Sequence, residues 1–378
     1  MRKKVNFGTS KGPKIKRSST PDAFNSNKSR GSHQSSSNNE FAKISQEKEI
    51  EELLSAKIID VERIRADSWA GIPDKFRAQV WRLFLDYEPV NSVLKETTLA
   101  HKRSDYFDCV GRVFTKDIWT NSQKQTESQI LRDLPRTSIT ILRNERIQSL
   151  LNRVLFVWSI RHPASDYVQG MNDLLQVFFF TFLLPKCPGK DISEIFSMKN
   201  LDFLSEDIIN EIEADCFWCF SKLLDGLQDL YTKDQPGIYR MLESLSTVID
   251  RVDPALSRHI RDEGIQYQEF AFRWMNCFLV REFPMELIFR LWDFYLSNHT
   301  KISTTHVYIC AALMTTLSPK LCGLSHSEFI VQIQSLHKNK WTIQDLDVII
   351  AQAYVYEKMF SRSPSHLRSS SLPNFDKI

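Results

Sequence analysis

Arg136 and Gln169 are the side chains in this sequence best suited to act on a phosphoanhydride, and each sits in a short patterned string. Arg136 closes Ile130-x-x-Asp133-x-x-Arg136, and Gln169 lies in Tyr167-Val168-Gln169-Gly170-Met171-Asn172-Asp173. A guanidinium is always charged and offers paired planar donors that match phosphate oxygens, which suits a phosphoryl-transfer transition state better than Lys. A carboxamide can orient the attacking water, so the two types together suit hydrolysis of a nucleoside triphosphate. Pro135 fixes its own φ and biases Leu134 away from helix, which leaves Arg136 on a stiffened turn. Gly170 permits close backbone approach beside Gln169.

Read singly, neither string is distinctive. Arg136 by itself is a surface cation that pairs with Asp133 or with a helix C-terminus. Gln169 by itself is surface filler ahead of a helix capped by Asn172 or Asp173. Tyr167 and Met171 are expected to pack beneath Gln169. A third string, Arg77-x-x-x-Trp81, follows Ile72-Pro73-Asp74, and residues four apart share a helix face. Trp81 reads as core, and Arg77 as a brace between its helix and the loops of Arg136 and Gln169.

The elements that must position these residues are helical. Ile147, Leu150, Leu151, Val154, Leu155 and Trp158 form one apolar stripe on a long helix that stops before Pro163. Ile208, Ile209, Ile212, Cys216, Phe220, Leu223, Leu224 and Leu227 form a second. Pro236 and Pro254, the latter behind Asp253 as N-cap, read as helix openers, and Ile343, Leu346, Ile350 and Ala353 line a final helix. Hairpin signals are scarce and no period of a helical repeat recurs. The expected fold is therefore all-α, an irregular two-lobed helical body over 45–360. A basic Ser/Asn-rich tail over 1–44 and a Ser-rich tail over 361–378 are expected to be disordered, because such composition buries too little apolar surface.

Composition excludes several classes. Residues 1–40 hold nine Lys/Arg against Asp22 and Glu40, so elsewhere 40 bases face 44 acids and the body lacks the excess positive charge of a nucleic-acid binder. Seven scattered cysteines make no disulfide framework and no apolar signal segment precedes them, which points to a reducing, cytoplasmic setting. The greasiest run, Leu174 to Leu184, contains Gln176 and Thr181 and ends at Pro185. It is short of the roughly 20 apolar residues a bilayer requires, so it reads as a buried helix. No lipidation string is visible at either end. Cys216-Phe217-Trp218-Cys219 lacks the second pair that zinc would need, so no metal site is expected. His162 reads as structural.

Taken together and in order, the strings resemble the signature of the TBC domain, the family of GTPase-activating proteins for Rab GTPases. The resemblance runs from Gly71 to Asn298: Gly71-Ile72-Pro73 with Arg77-x-x-x-Trp81 is similar to the opening motif, and Arg290-Leu291-Trp292-Asp293 to a later one. Arg161 to Gly170 and Phe270 to Met275 look most like the Gyp1 and TBC1 domain family member 22 branch. The resemblance implies that Arg136 is an arginine finger and Gln169 a glutamine finger, both supplied in trans to a GTP-bound Rab. Asp133, Arg77, Trp81, Ile130, Tyr167, Gly170 and Asn172 would support them or contact the Rab. It also implies no cofactor of the chain's own, since Mg2+ and GTP come with the Rab, and indeed no Gly-x-x-x-x-Gly-Lys loop occurs. A cytoplasmic protein, at most peripheral at Golgi or endosomal membranes and acting in vesicle trafficking, is the implied setting. The alternative is a helical adaptor that binds a Rab or another trafficking protein without catalysis.

Overall fold

The structure is a computed structural model that describes residues 44–115, 119–232, 234–298 and 301–361. The tail sequences, including the basic clusters Arg2-Lys3-Lys4 and Lys14-Ile15-Lys16-Arg17 and the Ser-rich stretch beyond residue 361, lie outside the described residues. The chain divides into two units, Met1–Glu47 and Lys48–Ile378; in the first, only 44–47 are described, and they are helical. The second holds the rest of the described helices.

That unit is all helix. Among the described residues no strand forms, and the one β feature is an isolated antiparallel bridge between Ile58 and Asn91. Each helix begins and ends where local chemistry directs. Pro73 precedes α1 (Asp74–Phe84), and α2 (Lys95–Val113) follows a short turn. In α3 (Asn121–Asp133), Thr120 and Gln123 form a reciprocal capping box, and the helix runs out at Leu134 before Pro135. Asn144 caps α4 (Glu145–Arg161) by accepting from the Arg146 and Ile147 amides, and α4 stops at His162, ahead of Pro163. Gly170, with φ of 108°, opens α5 (Met171–Leu183), which therefore starts three residues before the apolar run itself.

Ser205 caps α6 (Glu206–Asp225), and Leu227 of the expected stripe falls just beyond its end, still buried. Pro236 opens α7 (Pro236–Val252), and Pro254 opens α8 (Pro254–Asp262) with the Asp253 carboxylate accepting from the Leu256 amide. The remaining long helices are α9 (Tyr267–Cys277), α10 (Met285–Ser297), α11 (Ile302–Leu321) and α12 (Ile343–Ser361).

Packing sorts these helices into two groups. Helices α2 to α6 pack on one another, with α6 against α2, α4 and α5. Helices α7, α9 and α12 pack around α11. Contacts of α5 with α9 and α10, and of α1 with α5, α6 and α10, join the groups into one contiguous apolar core. Trp81, Phe178 and Trp292 meet at that junction, with Trp81 stacked on Trp292 at 6.1 Å and edge-on to Phe178 at 5.9 Å. Truncating a fully buried Trp of this kind removes about 3–5 kcal/mol.

One polar cluster pins the junction. Asp293 on α10 is fully buried and accepts from Arg77 Nε at 3.1 Å, from Trp81 Nε1 at 2.8 Å and from the Ile72 amide at 2.9 Å. Arg77 also donates to the Ile72 carbonyl at 2.7 Å and pairs with Asp74. The strings Gly71-Ile72-Pro73 and Arg77-x-x-x-Trp81 are therefore one hydrogen-bonded frame with Trp292-Asp293, more than 200 residues further along the sequence. This corrects one expectation: Arg77 braces α1 against α10, not against the loops of Arg136 and Gln169. Its guanidinium loses free energy to burial, yet the Asp293 and Asp74 carboxylates outweigh that and raise its pKa.

Candidate functional site

Arg136 and Gln169 are both exposed and both leave the ends of helices, on the α3–α4 and α4–α5 loops. The turn Asp133-Leu134-Pro135-Arg136 closes by a bond from the Arg136 amide to the Asp133 carbonyl at 3.0 Å. From that turn the Arg136 side chain, 63% exposed, places Nη1 at 3.2 Å from Asp133 Oδ1. The ion pair is thus present, and it leaves most of the guanidinium facing solvent. With its guanidinium this exposed to solvent the pair contributes only on the order of 1 kcal/mol, so the Arg can be drawn from it by a stronger anion.

Asp133 is itself buried, and its second oxygen accepts from the Tyr167 hydroxyl at 3.3 Å. Tyr167 is 5% exposed and its hydroxyl also lies 3.3 Å from Asn172 Oδ1. Burial, reinforced by the Asp133 carboxylate, pushes its phenol well above the ordinary range, so Tyr167 stays protonated and remains a donor. Asn172 Oδ1 accepts in addition from the Gly170 amide at 3.2 Å. A short chain therefore joins the two loops: Arg136, Asp133, Tyr167, Asn172 and the Gly170 backbone. Thr126 on α3 adds a second tie, donating to Asp166 Oδ1 at 2.9 Å, where Asp166 takes φ of 56°.

Gly170 has to be glycine on two grounds. Its φ of 108° is left-handed, and a Cβ there would meet Asn276 Nδ2 at 2.3 Å. Asn276, 7% exposed at the end of α9, donates from Nδ2 to the Gln169 main-chain carbonyl at 2.7 Å. The Gln169 carboxamide makes no hydrogen bond among the described residues. Beneath the same turn Asp173 is buried and accepts from Arg281 Nε at 2.8 Å and from the Cys277 thiol at 3.4 Å. Burial pushes the Asp173 carboxyl up, and Arg281 pulls the other way.

Several expectations are thereby sorted. The structure brings Arg136, Asp133, Tyr167, Gly170 and Asn172 together with Gln169. Met171 is fully buried below, its sulfur 3.4 Å from the Val168 amide. Ile130, Trp81 and Arg77 are buried, so they can act only as support and not as contacts to another molecule. Ile130 anchors the last turn of α3 in the core. Neither Asn172 nor Asp173 is the cap of α5, a position held by Gly170. His162 stacks on Trp158 at 4.5 Å with Nδ1 at 2.8 Å from the Trp158 carbonyl, a structural role. Cys216 and Cys219 are fully buried on α6, and among the described residues no three His, Cys, Asp or Glu side chains are grouped to hold a metal.

Sequence reasoning missed Asn276, Cys277 and Arg281. All three lie just after Phe270 to Met275, so the signal available was proximity to a recognised run, with nothing to say which side chain would turn toward Gln169. The site is also open. Two clefts of about 400 and 250 Å³ share Asp86, Lys222 and Asp225, and neither is lined by Arg136 or Gln169. An exposed guanidinium and carboxamide on neighbouring loops fit a macromolecular partner better than an enclosed small molecule.

Comparison with known proteins bears on the family of the chain. The model of the Rab-GTPase-TBC domain matches residues 74–322. The chain is 36% identical over 331 residues to the GTPase-activating protein gyp1 of Schizosaccharomyces pombe, covering 86% of this chain and 64% of that protein. To the TBC1 domain family member 22B of Homo sapiens it is 38% identical over 322 residues, covering 84% and 62% respectively. The chain thus spans somewhat under two thirds of the length of these relatives. It is similar as well to the crystal structure of the Ypt/Rab-GAP domain of Gyp1p, with a TM-score of 0.80 at 36% identity over 84% of this chain and 99% of that one.

Proposed function

This chain belongs to the Rab-GTPase-TBC domain family, and from that premise we propose that it is a GTPase-activating protein for a GTP-bound Rab GTPase. It acts in trans. Arg136 enters the partner's nucleotide site and neutralises the charge that develops as the bond between the γ-phosphorus and the β,γ-bridging oxygen breaks. Gln169 orients the water whose oxygen forms the new bond to the γ-phosphorus, leaving GDP and inorganic phosphate. Mg2+ and GTP are the Rab's own and are held by it.

The observation that carries this reading is the tie between the two loops. Arg136 and Gln169 are exposed, chemically complementary, and held to one another through Asp133, Tyr167 and Asn172. The Asp133 pair parks the guanidinium close to where it works. An incoming phosphate, with more charge than a carboxylate and paired oxygens, takes it over. A cytoplasmic setting and a role in vesicle trafficking complete the proposal, in keeping with the relatives' printed identities as GTPase-activating and TBC-domain proteins. No helix among the described residues is long and apolar enough to cross a membrane.

The test is phosphate release from a panel of purified GTP-loaded Rabs, with and without this protein and with Arg136→Ala. An arginine finger is worth on the order of 10³ to 10⁵ in rate, so the variant should lose at least about a thousandfold. Binding of a Rab without acceleration by the parent protein would instead indicate a non-catalytic adaptor.

A further inference from the structure

The Gln169 carboxamide is free, but its backbone is not. Nδ2 of Asn276 donates to the Gln169 carbonyl at 2.7 Å and occupies the space over Gly170, where a Cβ would approach it to 2.3 Å. Asn276 is itself held from the far side. Its main-chain carbonyl accepts from the Tyr231 hydroxyl at 2.9 Å, and its Oδ1 lies 3.5 Å from Gln235 Nε2. Immediately beyond it, Cys277 and Arg281 both reach Asp173, in the first turn of α5. The C-terminal end of α9 thus grips residues 169, 170 and 173 of a loop that lies more than a hundred positions earlier in the chain.

The need for such a grip follows from Gly170. Only glycine tolerates φ of 108° with Asn276 so near, yet glycine also leaves the 169–170 peptide free to turn to other orientations. A shift of the Gln169 main chain that this freedom permits carries with it the Cα from which the side chain departs. A carboxamide that orients water gains its effect from direction, and a displacement of about 1 Å costs about a hundredfold.

We infer that Asn276 is a positioning residue for Gln169: its bond to the Gln169 carbonyl fixes the peptide from which the carboxamide projects. The inference rests on the GTPase-activating reading above and deepens it. Asn276 is buried with its amide donating to the Gln169 carbonyl, so it acts only through Gln169 and its effect must vanish when the Gln169 side chain is gone.

A double-mutant cycle tests this with the full chain, measuring single-turnover phosphate release from GTP-loaded Rabs. Asn276→Leu keeps the branching of the side chain and removes the donor. Alone it should slow the saturating rate about 10- to 100-fold, with the half-saturating concentration within about twofold of the parent. In a Gln169→Ala background it should cost nothing further. If the two losses multiply, or if Asn276→Leu is as fast as the parent, the inference is overturned. Thermal melting monitors folding, and Asn276→Ala carries the same cycle should the Leu variant not fold. A parent protein that accelerates no Rab overturns the GTPase-activating reading and this inference together. A parent that accelerates hydrolysis but gives a multiplicative cycle overturns the inference alone.

Discussion

The Tyr167 hydroxyl lies 3.3 Å from Asp133 Oδ2, and through that one bond the loop carrying Gln169 is registered against the turn carrying Arg136. The other Asp133 oxygen holds Arg136 Nη1 at 3.2 Å, so a single carboxylate senses both loops. Two exposed side chains proposed to act on one phosphate cannot drift independently, and here they share an anchor.

Tyr167→Phe removes the hydroxyl and keeps the buried ring. One hydrogen bond of this kind contributes about 1 kcal/mol, so the melting temperature should fall only slightly. Phosphate release from the GTP-loaded Rab should slow by about tenfold, because Asp133 is then free to swing and Arg136 with it. An unchanged rate in a single-turnover assay would mean that the tie does not matter for catalysis.

Gly170→Ala should be worse for rate than for stability. The left-handed backbone costs a non-glycine residue about 1–3 kcal/mol, and the added Cβ would lie 2.3 Å from Asn276 Nδ2. Relief comes by moving the Gln169 loop, which should cut the saturating rate about a hundredfold. Parallel urea unfolding and phosphate-release measurements separate the two effects.

Asp293→Asn should show the opposite balance. It leaves the buried Arg77 guanidinium without its full charge partner and weakens the bonds from Trp81 and Ile72. A broken buried pair costs about 3–5 kcal/mol, readable as a drop in the urea midpoint. Because the frame lies away from Arg136 and Gln169, the folded fraction of this variant at low temperature should retain the parent's rate per molecule.

His306 supplies a pH dependence of stability. It is fully buried on α11, its Nδ1 at 2.7 Å from the Tyr295 hydroxyl and its Nε2 at 2.9 Å from the Trp274 carbonyl. The carbonyl can only accept, so Nε2 carries the proton and Nδ1 accepts from Tyr295. Burial pushes the imidazole down to about 3, whereas in the unfolded chain it titrates near about 6.5. Between those values the unfolded state binds the extra proton, so stability present at neutral pH is lost as pH falls. The slope approaches about 1.4 kcal/mol per pH unit. Urea unfolding from neutral pH down to about pH 5 should show it, and His306→Gln should remove it.

Much of this was legible in the residues. The apolar spacing of Ile147 to Trp158 made α4 a helix. Pro236, and Pro254 behind Asp253, marked where two helices begin, because a cap is chemistry between near neighbours. The order of three strings placed an Arg and a Gln of the right types in one family signature. The separate readings of Arg136, ion pair or phosphate ligand, turned out not to compete: the pair with Asp133 exists and leaves the guanidinium exposed.

The sequence by itself determined the helices, their caps and the identity of the two exposed side chains, since periodicity, capping and residue type act within a few positions. Only the tertiary structure decided what holds those side chains still. That Arg77 answers to Asp293, that Tyr167 reaches Asp133, and that Asn276 rather than a neighbour on α9 binds the Gln169 carbonyl depend on packing between helices. Such a hydrogen bond is fixed to within tenths of an ångström by the crossing of whole helices. A single chain's residue order carries no local trace of that crossing.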